Sequence, residues 1–180
     1  GIGQLAEGLK NSALSTFVLF YYNQVLGLSG TLAGTAILIA LLFDAVSDPL
    51  AGSLSDNWQS RWGRRHPFMY ASALPLGIAF FFLFSPPEGL SEFSLFLWLT
   101  VTVVLTRGAM TLYHVPHIAL GAELSEDYDE RTQIVSYRYF LGFAGYLVAY
   151  YLGFGVFFKD TAEFPRGQFT VDAYAPYAFV

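Results

Sequence analysis

Five long apolar segments, separated by short polar breaks, constrain this chain more than any other feature of its sequence. An α-helix needs about 20 predominantly apolar residues to cross roughly 30 Å of hydrocarbon; the segments meet this length approximately, and the fourth is long enough to tilt or to protrude from the bilayer. The pattern therefore predicts an all-α, polytopic transmembrane helix bundle with five complete spans and the start of a sixth. We place the complete spans at residues 11–28, 31–50, 68–84, 93–120 and 133–158, and the sixth after a polar segment at 159–174.

The composition agrees with a protein surrounded by lipid. Of the 180 residues, 54% are hydrophobic and 13% are charged, whereas a soluble domain carries about 25% charged residues. The aromatic content of 18% excludes a disordered chain, which needs low hydrophobicity and high net charge. The net charge of -5 argues against a nucleic-acid partner, because phosphates are bound by a basic stripe that this sequence lacks. The absence of cysteine excludes disulfides, thiolate chemistry and cysteine-ligated metal sites.

Both ends of the sequence suggest a fragment. The chain begins at Gly1 instead of a methionine, and it stops at Val180 where a new apolar stretch begins. We therefore expect residues 1–180 to be one transmembrane domain of a longer protein.

The distribution of Lys and Arg predicts the orientation in the membrane. Loops on one side contain four arginines, Arg61, Arg64, Arg65 and Arg131. Loops on the other side contain only Lys159 and Arg166. Because short cytoplasmic loops carry the excess of positive residues, we expect the N-terminus to be cytoplasmic.

Two carboxylates lie inside the predicted second span. Asp44 and Asp48 are spaced i, i+4, which places both on one face of a helix, with the hydroxyl of Ser47 beside them. Either a cation lies between them or one of them takes up a proton, and hard oxygen ligands suit a small hard cation. Two other interpretations stay open: the helix ends at Asp48-Pro49 with both carboxylates in water, or the carboxylates form structural pairs with Arg107 or Arg138.

The predicted fourth span contains a polar stripe. Its members follow one another at steps of four, three and four residues and so share one helical face: Arg107, Thr111, His114 and Ile118. The economical interpretation is a stripe that faces a cavity, although His114 fits a satisfied core histidine almost equally well. His117 is near His114, but Pro116 lies between them and no third ligand is adjacent, which disfavours a metal site.

Arg138 lies near the start of the predicted fifth span. One interpretation is that its side chain extends to the lipid headgroups. The other is an inward-facing guanidinium that donates hydrogen bonds to substrate hydroxyls or to a carboxylate.

Two motifs resemble known transporters. Residues 52–56, Gly-Ser-Leu-Ser-Asp, followed by Arg-Trp-Gly-Arg-Arg at 61–65, are similar to the loop between helices two and three of the major facilitator superfamily. More narrowly, Asp-Ala-Val-Ser-Asp-Pro at 44–49 before Ser-Arg-Trp-Gly at 60–63 resembles the glycoside-pentoside-hexuronide:cation symporters. The resemblance covers essentially the whole chain and implies that residues 1–180 are the N-terminal half of a twelve-helix transporter.

The resemblance implies roles for individual residues. The matching positions predict a cation site that consists of Asp44, Ser47, Asp48 and Thr111. A substrate site is implied for Arg138, His114 and Ile118, the last two standing where the family has an acid and a tryptophan that contact sugar, and the polar stripe adds Arg107. A gate at the helix ends is implied for Asp56, Arg64 and Arg65.

The function implied is a secondary active transporter, not an enzyme, that couples Na+ or H+ to uptake of a sugar or glycoside. We expect no cofactor besides the coupling ion, and we expect as partners the solute, the lipid bilayer and the C-terminal half of the same transporter. The location implied is the cell membrane, or the inner membrane in a bacterium. The segment from His114 to Arg138 also resembles animal lysolipid symporters, so an anionic or amphiphilic solute (uronide or lysolipid) is the alternative. A membrane enzyme using His114 and His117, or a non-transporting scaffold, is less favoured.

Overall fold

The computed structural model describes residues 2–125, 127–160 and 166–179, and these contain helices but no β-strand. The α-helices are α1 (Ile2–Ala13), α2 (Gly30–Asn57), α3 (His66–Leu83), α4 (Glu92–Glu123), α5 (Tyr128–Leu152) and α6 (Tyr174–Phe179). In the described part of the chain, the helical stretches long and apolar enough to cross a membrane are Gly30–Asn57, His66–Leu83, Glu92–Gly121 and Tyr128–Phe157. The predicted all-α, multi-pass fold is therefore confirmed, and the predicted second to fifth spans each have a matching helix.

The chain divides into two compact units. The terminal unit contains residues 1–30 and 127–180, and the central unit contains residues 31–126. The terminal unit therefore holds α1, α5 and α6, and the central unit holds α3, α4 and nearly all of α2.

In the terminal unit, α1 packs against α5 through glycines. A Cβ atom built at Gly8 would overlap the carbonyl oxygen of Gly142, and one built at Gly145 would overlap the carbonyl oxygen of Leu5. Small residues allow this approach of two backbones, and such contacts are a common way to join helices in lipid. The close contact of α1 with α5 therefore depends on the absence of side chains at these positions.

Beyond α1 the chain continues through two π-helical segments, Leu14–Val18 and Tyr21–Val25, and then turns at Gly27, whose φ is 77°. An aromatic cluster surrounds the buried Phe17, with ring centroids 5.1 to 6.5 Å from it. Its other members are Tyr150, Phe154, Phe158 and Tyr177. This cluster joins the end of α5 to α6 and to the first π-helical segment.

Two helices of the terminal unit, α1 and α5, begin earlier than predicted. α1 begins at Ile2, well before residue 11, so the expectation of a first span at 11–28 missed the amphipathic start of the helix. α5 begins at Tyr128 instead of residue 133, because the carboxylate of Asp127 accepts hydrogen bonds from the backbone N–H groups of Asp129 (2.9 Å) and Glu130 (3.0 Å). Acidic residues favour the positive end of a helix dipole, so the acidic sequence starts a helix and does not form a loop.

The polar segment predicted at 159–174 is partly described. Two short 3₁₀ turns, Gly167–Phe169 and Val171–Ala173, lead into α6. Residues 161–165 and Val180 lie outside the described residues, so α6 gives only the beginning of the expected sixth span.

In the central unit, α3 and α4 pack together. Ser91 caps α4 by accepting a hydrogen bond from the backbone N–H of Ser94 at 3.2 Å, and the indole of Trp98 donates to the carbonyl of Phe82 at 3.0 Å. The hydroxyls of Thr102 and Thr106 donate to backbone carbonyls one turn earlier, each at 2.7 Å. These polar groups are therefore satisfied inside the apolar helix.

The second helix is longer than the sequence pattern predicts. α2 continues through Pro49 to Asn57, so the interpretation that the helix ends at Asp48-Pro49 is wrong. The break between the predicted second and third spans is correspondingly shorter, because the side chains of Ser55 and Asn57 donate to the helix carbonyls of Gly52 (3.0 Å) and Ser53 (2.8 Å). Polar residues here extend the helix because their own hydroxyl and amide groups bond to its backbone.

Candidate functional site

Asp44 and Arg107 form an ion pair between α2 and α4. The Nε atom of Arg107 lies 2.6 Å from the Oδ2 atom of Asp44, and its Nη2 atom lies 2.5 Å from the same oxygen. Both residues are near the middle of their helices, and their side chains are 31% (Arg107) and 18% (Asp44) exposed. A charge at the middle of a membrane helix is costly, so a direct pair of opposite charges makes this arrangement tolerable. The predicted stripe on α4 and the predicted acidic face of α2 therefore meet at this pair.

One turn further along both helices, Asp48 is bound to Thr111. The hydroxyl of the buried Thr111 donates to the Oδ1 atom of Asp48 at 2.7 Å. Asp48 itself is exposed on the surface of the central unit. Unlike Asp44, Asp48 has no cation within ion-pair distance among the described residues.

Two further oxygen atoms in this region are buried without a hydrogen-bond partner in the described part of the chain. They are the Oδ1 atom of Asp44 and the hydroxyl oxygen of Ser47. A buried polar atom that lacks a partner costs free energy, and in native proteins it is often explained by a water or an ion. The oxygens of Asp44, Ser47, Asp48 and Thr111 are ligands that suit a small hard cation.

A cleft of about 360 Å³ opens beside these residues, between α2 and α4. Among the residues that line it, Ser47 and Thr111 carry hydroxyl groups, and the rest of the lining is apolar: Phe43, Val46, Leu50, Ala51, Leu54, Gly108 and Leu112. A Cβ atom at Gly108 would lie 3.1 Å from the ring of Phe43, so the glycine makes room for that ring. The cleft gives the two hydroxyl groups an apolar surrounding.

The other two members of the α4 stripe lie beyond this cleft. His114 is half-buried on α4, and Ile118 is 42% exposed. The ring of the neighbouring His117 packs against Tyr113, with 5.2 Å between centroids. In residues 2–125, 127–160 and 166–179, no group of three His, Cys, Asp or Glu residues is arranged to hold a metal ion. The structure therefore places the stripe on one helix, and two of its members, Arg107 and Thr111, bond to carboxylates of α2.

Arg138 lies in the terminal unit and contacts α1. Its Nε atom donates to the side-chain oxygen of Gln4 at 3.3 Å, and the amide nitrogen of Gln4 donates to the carboxylate of Glu7 at 2.9 Å. Glu7 is 6% exposed and Lys10, one turn further, is 7% exposed. Sequence reasoning missed Gln4 and Glu7, because α1 was expected to begin after them, although charged residues ahead of an apolar run were a visible signal.

The residues predicted to form a gate are joined by ion pairs in the central unit. Arg65 donates to the carboxylate of Asp56 at 2.6 and 3.1 Å. The carboxylate of Glu123 lies 3.1 Å from Arg65 and 3.4 Å from Arg64. Arg65 is 10% exposed in its side chain and Arg64 is 57% exposed, so Arg65 is the centre of the group. Glu123 was missed as a member, although its position at the end of the fourth predicted span was a usable signal.

Comparison with known proteins gives a consistent result. Residues 1–177 match the family described as MFS/sugar transport protein. The putative glycoside/cation symporter YagG of Escherichia coli is 34% identical over 147 residues, which cover 82% of this chain and 32% of that protein. The inner membrane symporter YicJ of the same organism is 32% identical over 145 residues, or 81% of this chain and 31% of the relative. The sodium-dependent lysophosphatidylcholine symporter 1 of Mus musculus is 31% identical over 142 residues, which cover 76% of this chain and 26% of that protein.

The chain thus spans about a third or less of the length of these relatives. All three are named as symporters, which agrees with the expectation of a transporter and not an enzyme. The family match covers nearly the whole sequence and agrees with the membrane-length helices described above. This chain therefore belongs to the MFS/sugar transport protein family.

Proposed function

We propose that this chain is the N-terminal half of a secondary active transporter that couples entry of Na+ or H+ to uptake of a sugar or glycoside. Family membership and the names of the relatives support symport in general. In transporters of this kind, solute and ion bind near the midplane and the protein alternates between two openings. The C-terminal half and the lipid bilayer are the partners that this proposal requires.

The observation that carries the proposal is the hydrogen bond between Thr111 and Asp48. It connects α2 with α4 next to buried oxygen atoms of Asp44 and Ser47 that have no hydrogen-bond partner among the described residues. A carboxylate, two hydroxyls and a further carboxylate oxygen are a suitable set for one small monovalent cation. Binding of that ion to both helices would favour one arrangement of the central unit over another, and such a differential affinity is what ion coupling needs.

The candidate solute ligands in this proposal are Arg138 in the terminal unit and, in the central unit, His114, Ile118 and Arg107. A guanidinium can donate to two hydroxyls of a sugar or to both oxygens of a carboxylate. The gate in this proposal is the group of Asp56, Arg65 and Glu123, with Arg64 at its edge. The carboxylates of Asp56 and Glu123 are about half exposed, so water can replace Arg65 as their partner when such a gate opens.

We also propose that the N-terminus and the loop between α2 and α3 are cytoplasmic, because that loop contains three arginines. A cysteine in place of Gln59, in a full-length protein whose other cysteines are replaced by serine, would report the orientation; residues 1–180 contain no cysteine of their own. We expect a membrane-impermeant thiol reagent to label it in inside-out vesicles only. Labelling in intact cells would reverse the assignment.

The test of the function is counterflow in vesicles with the full-length protein. The solutes are methyl glycosides, xylose, glucuronate and lysophosphatidylcholine, each with an imposed Na+ gradient or an imposed pH gradient. We expect exchange of a glycoside or pentose that depends on one of the two ions. Absence of exchange for every solute would favour a non-transporting scaffold.

An anionic or amphiphilic solute is the second candidate. Among the described residues no carboxylate lies within ion-pair distance of Arg138, whose hydrogen bond goes to the neutral amide of Gln4. A guanidinium whose charge is not neutralised directly would favour a carboxylate or phosphate group on the solute. The apolar cleft beside α2 and the name of the Mus musculus relative also agree with an amphiphile. Exchange of glucuronate or lysophosphatidylcholine, but not of the neutral sugars, would support this candidate.

A further inference from the structure

Arg107 is one of the candidate solute ligands, but its contacts favour a different role. Its guanidinium makes two contacts with a single oxygen of Asp44, at 2.5 and 2.6 Å, inside the central unit. An arginine held this closely by a carboxylate carries a fixed positive charge next to the proposed ion site. Since arginine stays protonated in proteins, this charge is present at every stage of a transport cycle.

The charges around the proposed ion site can therefore be counted. Asp44 and Asp48 each contribute one negative charge, and Arg107 contributes one positive charge. The three residues together have a net charge of -1, which one monovalent cation would neutralise. Without Arg107, the two carboxylates would have a net charge of -2 at i, i+4 spacing and would repel each other.

We propose that Arg107 is a built-in counter-ion that neutralises Asp44 and leaves Asp48 as the ion-binding carboxylate. This inference rests on the proposed function and assigns separate tasks to the two acids. Asp48, bound to Thr111 and without a cationic partner among the described residues, supplies the charge that attracts the ion. Asp44 holds Arg107, which neutralises its charge. The Oδ1 atom of Asp44 then serves as an oxygen ligand of the ion, while the pair of Asp44 and Arg107 has no net charge.

The proposal makes a prediction that a site with two equivalent carboxylates does not make. Asp44→Asn alone leaves Arg107 without its carboxylate and brings the net charge of the site to zero. The freed guanidinium then lies near Asp48 and competes with the coupling ion, which weakens ion binding by about a hundredfold for a unit charge at this range. Addition of Arg107→Gln to that variant restores the net charge of -1, and the asparagine side chain introduced on α2 still offers an oxygen.

The experiment compares Asp44→Asn, Arg107→Gln, the double variant of both changes, and Asp48→Asn combined with Arg107→Gln, all in the full-length protein. Transport is measured with whichever of the four solutes named above gives the highest counterflow in the wild type. The driving gradient is that of the ion on which wild-type transport depends. The shift in Tm caused by NaCl relative to choline chloride, and by a change of pH, is measured on the purified proteins as a readout that needs no solute.

We expect Asp44→Asn to lose cation-stimulated uptake and the ion-dependent shift in Tm, and the double variant with Arg107→Gln to recover both. Arg107→Gln alone should bind the ion more tightly and release it more slowly. Asp48→Asn with Arg107→Gln has the same net charge as Asp44→Asn with Arg107→Gln. It should nevertheless not recover uptake or the ion-dependent shift in Tm, because its remaining carboxylate, Asp44, is at the wrong position. Recovery of both double variants would show that Asp48 has no special role and would overturn the assignment.

Failure of Asp44→Asn with Arg107→Gln to recover either readout, while the wild type transports, would overturn the counter-ion proposal alone. A normal amount of each variant in the membrane and a normal Tm without added ion distinguish this result from misfolding. A wild type that shows neither transport nor an ion-dependent shift in Tm would overturn this inference together with the proposed function.

Discussion

The two units of this molecule handle polar groups in different ways. In the central unit, arginines pair directly with carboxylates, as Arg107 does with Asp44 and Arg65 with Asp56. In the terminal unit, Arg138 bonds to an amide, and α1 and α5 are joined by contacts between backbones at glycines. A bound ion changes the balance of charge in such a group of side chains, whereas contacts between backbones require a fixed geometry. We therefore expect changes in the central unit to alter ion coupling or turnover, and changes in the terminal unit to alter stability or solute affinity.

The largest effect should come from the carboxylate that lacks a cationic partner among the described residues. Asp48→Asn removes one charge with little change in volume, so we expect it to abolish cation-stimulated uptake while expression and residual solute binding remain. Thr111→Ser is the matched control, because it keeps the hydroxyl that donates to Asp48. The measurement is concentrative uptake under the driving ion gradient. Unchanged uptake in both the Asp48→Asn and Asp44→Asn variants would show that these carboxylates take no part in ion coupling.

A second test concerns the glycine contact of the terminal unit. Gly8→Ala places a methyl group onto the backbone of Gly142, and this overlap should lower the free energy of unfolding by roughly 3 kcal/mol. Gly34→Ala on α2 is the control, since a Cβ atom there meets nothing within 4 Å. Thermal denaturation in detergent should show a lower Tm for the first variant only. Equal Tm values would mean that α1 and α5 do not need this close contact.

A third test measures solute affinity. Arg138→Gln removes a charged donor, so we expect a loss of affinity of roughly 10- to 100-fold with little change in the response to the ion. Gln4→Ala should have a smaller effect of about fivefold, because Gln4 bonds to Arg138 and holds its guanidinium. Both values are read from the concentration dependence of counterflow. If Arg138→Gln changed the ion response as strongly as the solute affinity, it would be wrong to assign ion coupling to the central unit and solute affinity to the terminal unit.

The last test concerns the gate, where the smallest effect is expected at Arg64. Arg65 contacts two carboxylates and is mostly buried, whereas Arg64 is exposed and has one contact at 3.4 Å. We therefore expect Arg65→Ala to slow turnover by about tenfold and Arg64→Ala by about threefold or less. Ion binding, measured by the ion-dependent shift in Tm, should be unchanged in both. Loss of ion binding with normal exchange would contradict the assignment of these residues to a gate.

The apolar segments were sufficient to predict the fold class and four membrane-length helices, because a hydrocarbon environment imposes length and composition on a helix. Helix ends were less predictable. Ser55 and Asn57 have polar side chains, but these bond to the helix backbone and extend α2, and Asp127 caps α5 in the same local way. A count of apolar residues does not contain these interactions.

The candidate site was predictable as a set of residues but not as a set of pairs. The i, i+4 spacing on α2 and the stripe on α4 identified Asp44, Asp48, Arg107 and Thr111 separately. Which acid meets the arginine and which meets the threonine depends on the register of two packed helices, and periodicity within one helix gives no information about that register. Gln4 and Glu7 were missed for a related reason, since their contact with Arg138 follows from the packing of α1 against α5.

The glycine contact between α1 and α5 limits how the terminal unit can move. Packed helices usually slide past each other in small steps, because their side chains change rotamer as they move. At Gly8, Gly142 and Gly145 there are no side chains to rearrange, so sliding would require the two backbones to separate first. We therefore expect α1 and α5 to move together as a rigid pair during transport. Any bending of the terminal unit should occur in the helical segments beyond this contact.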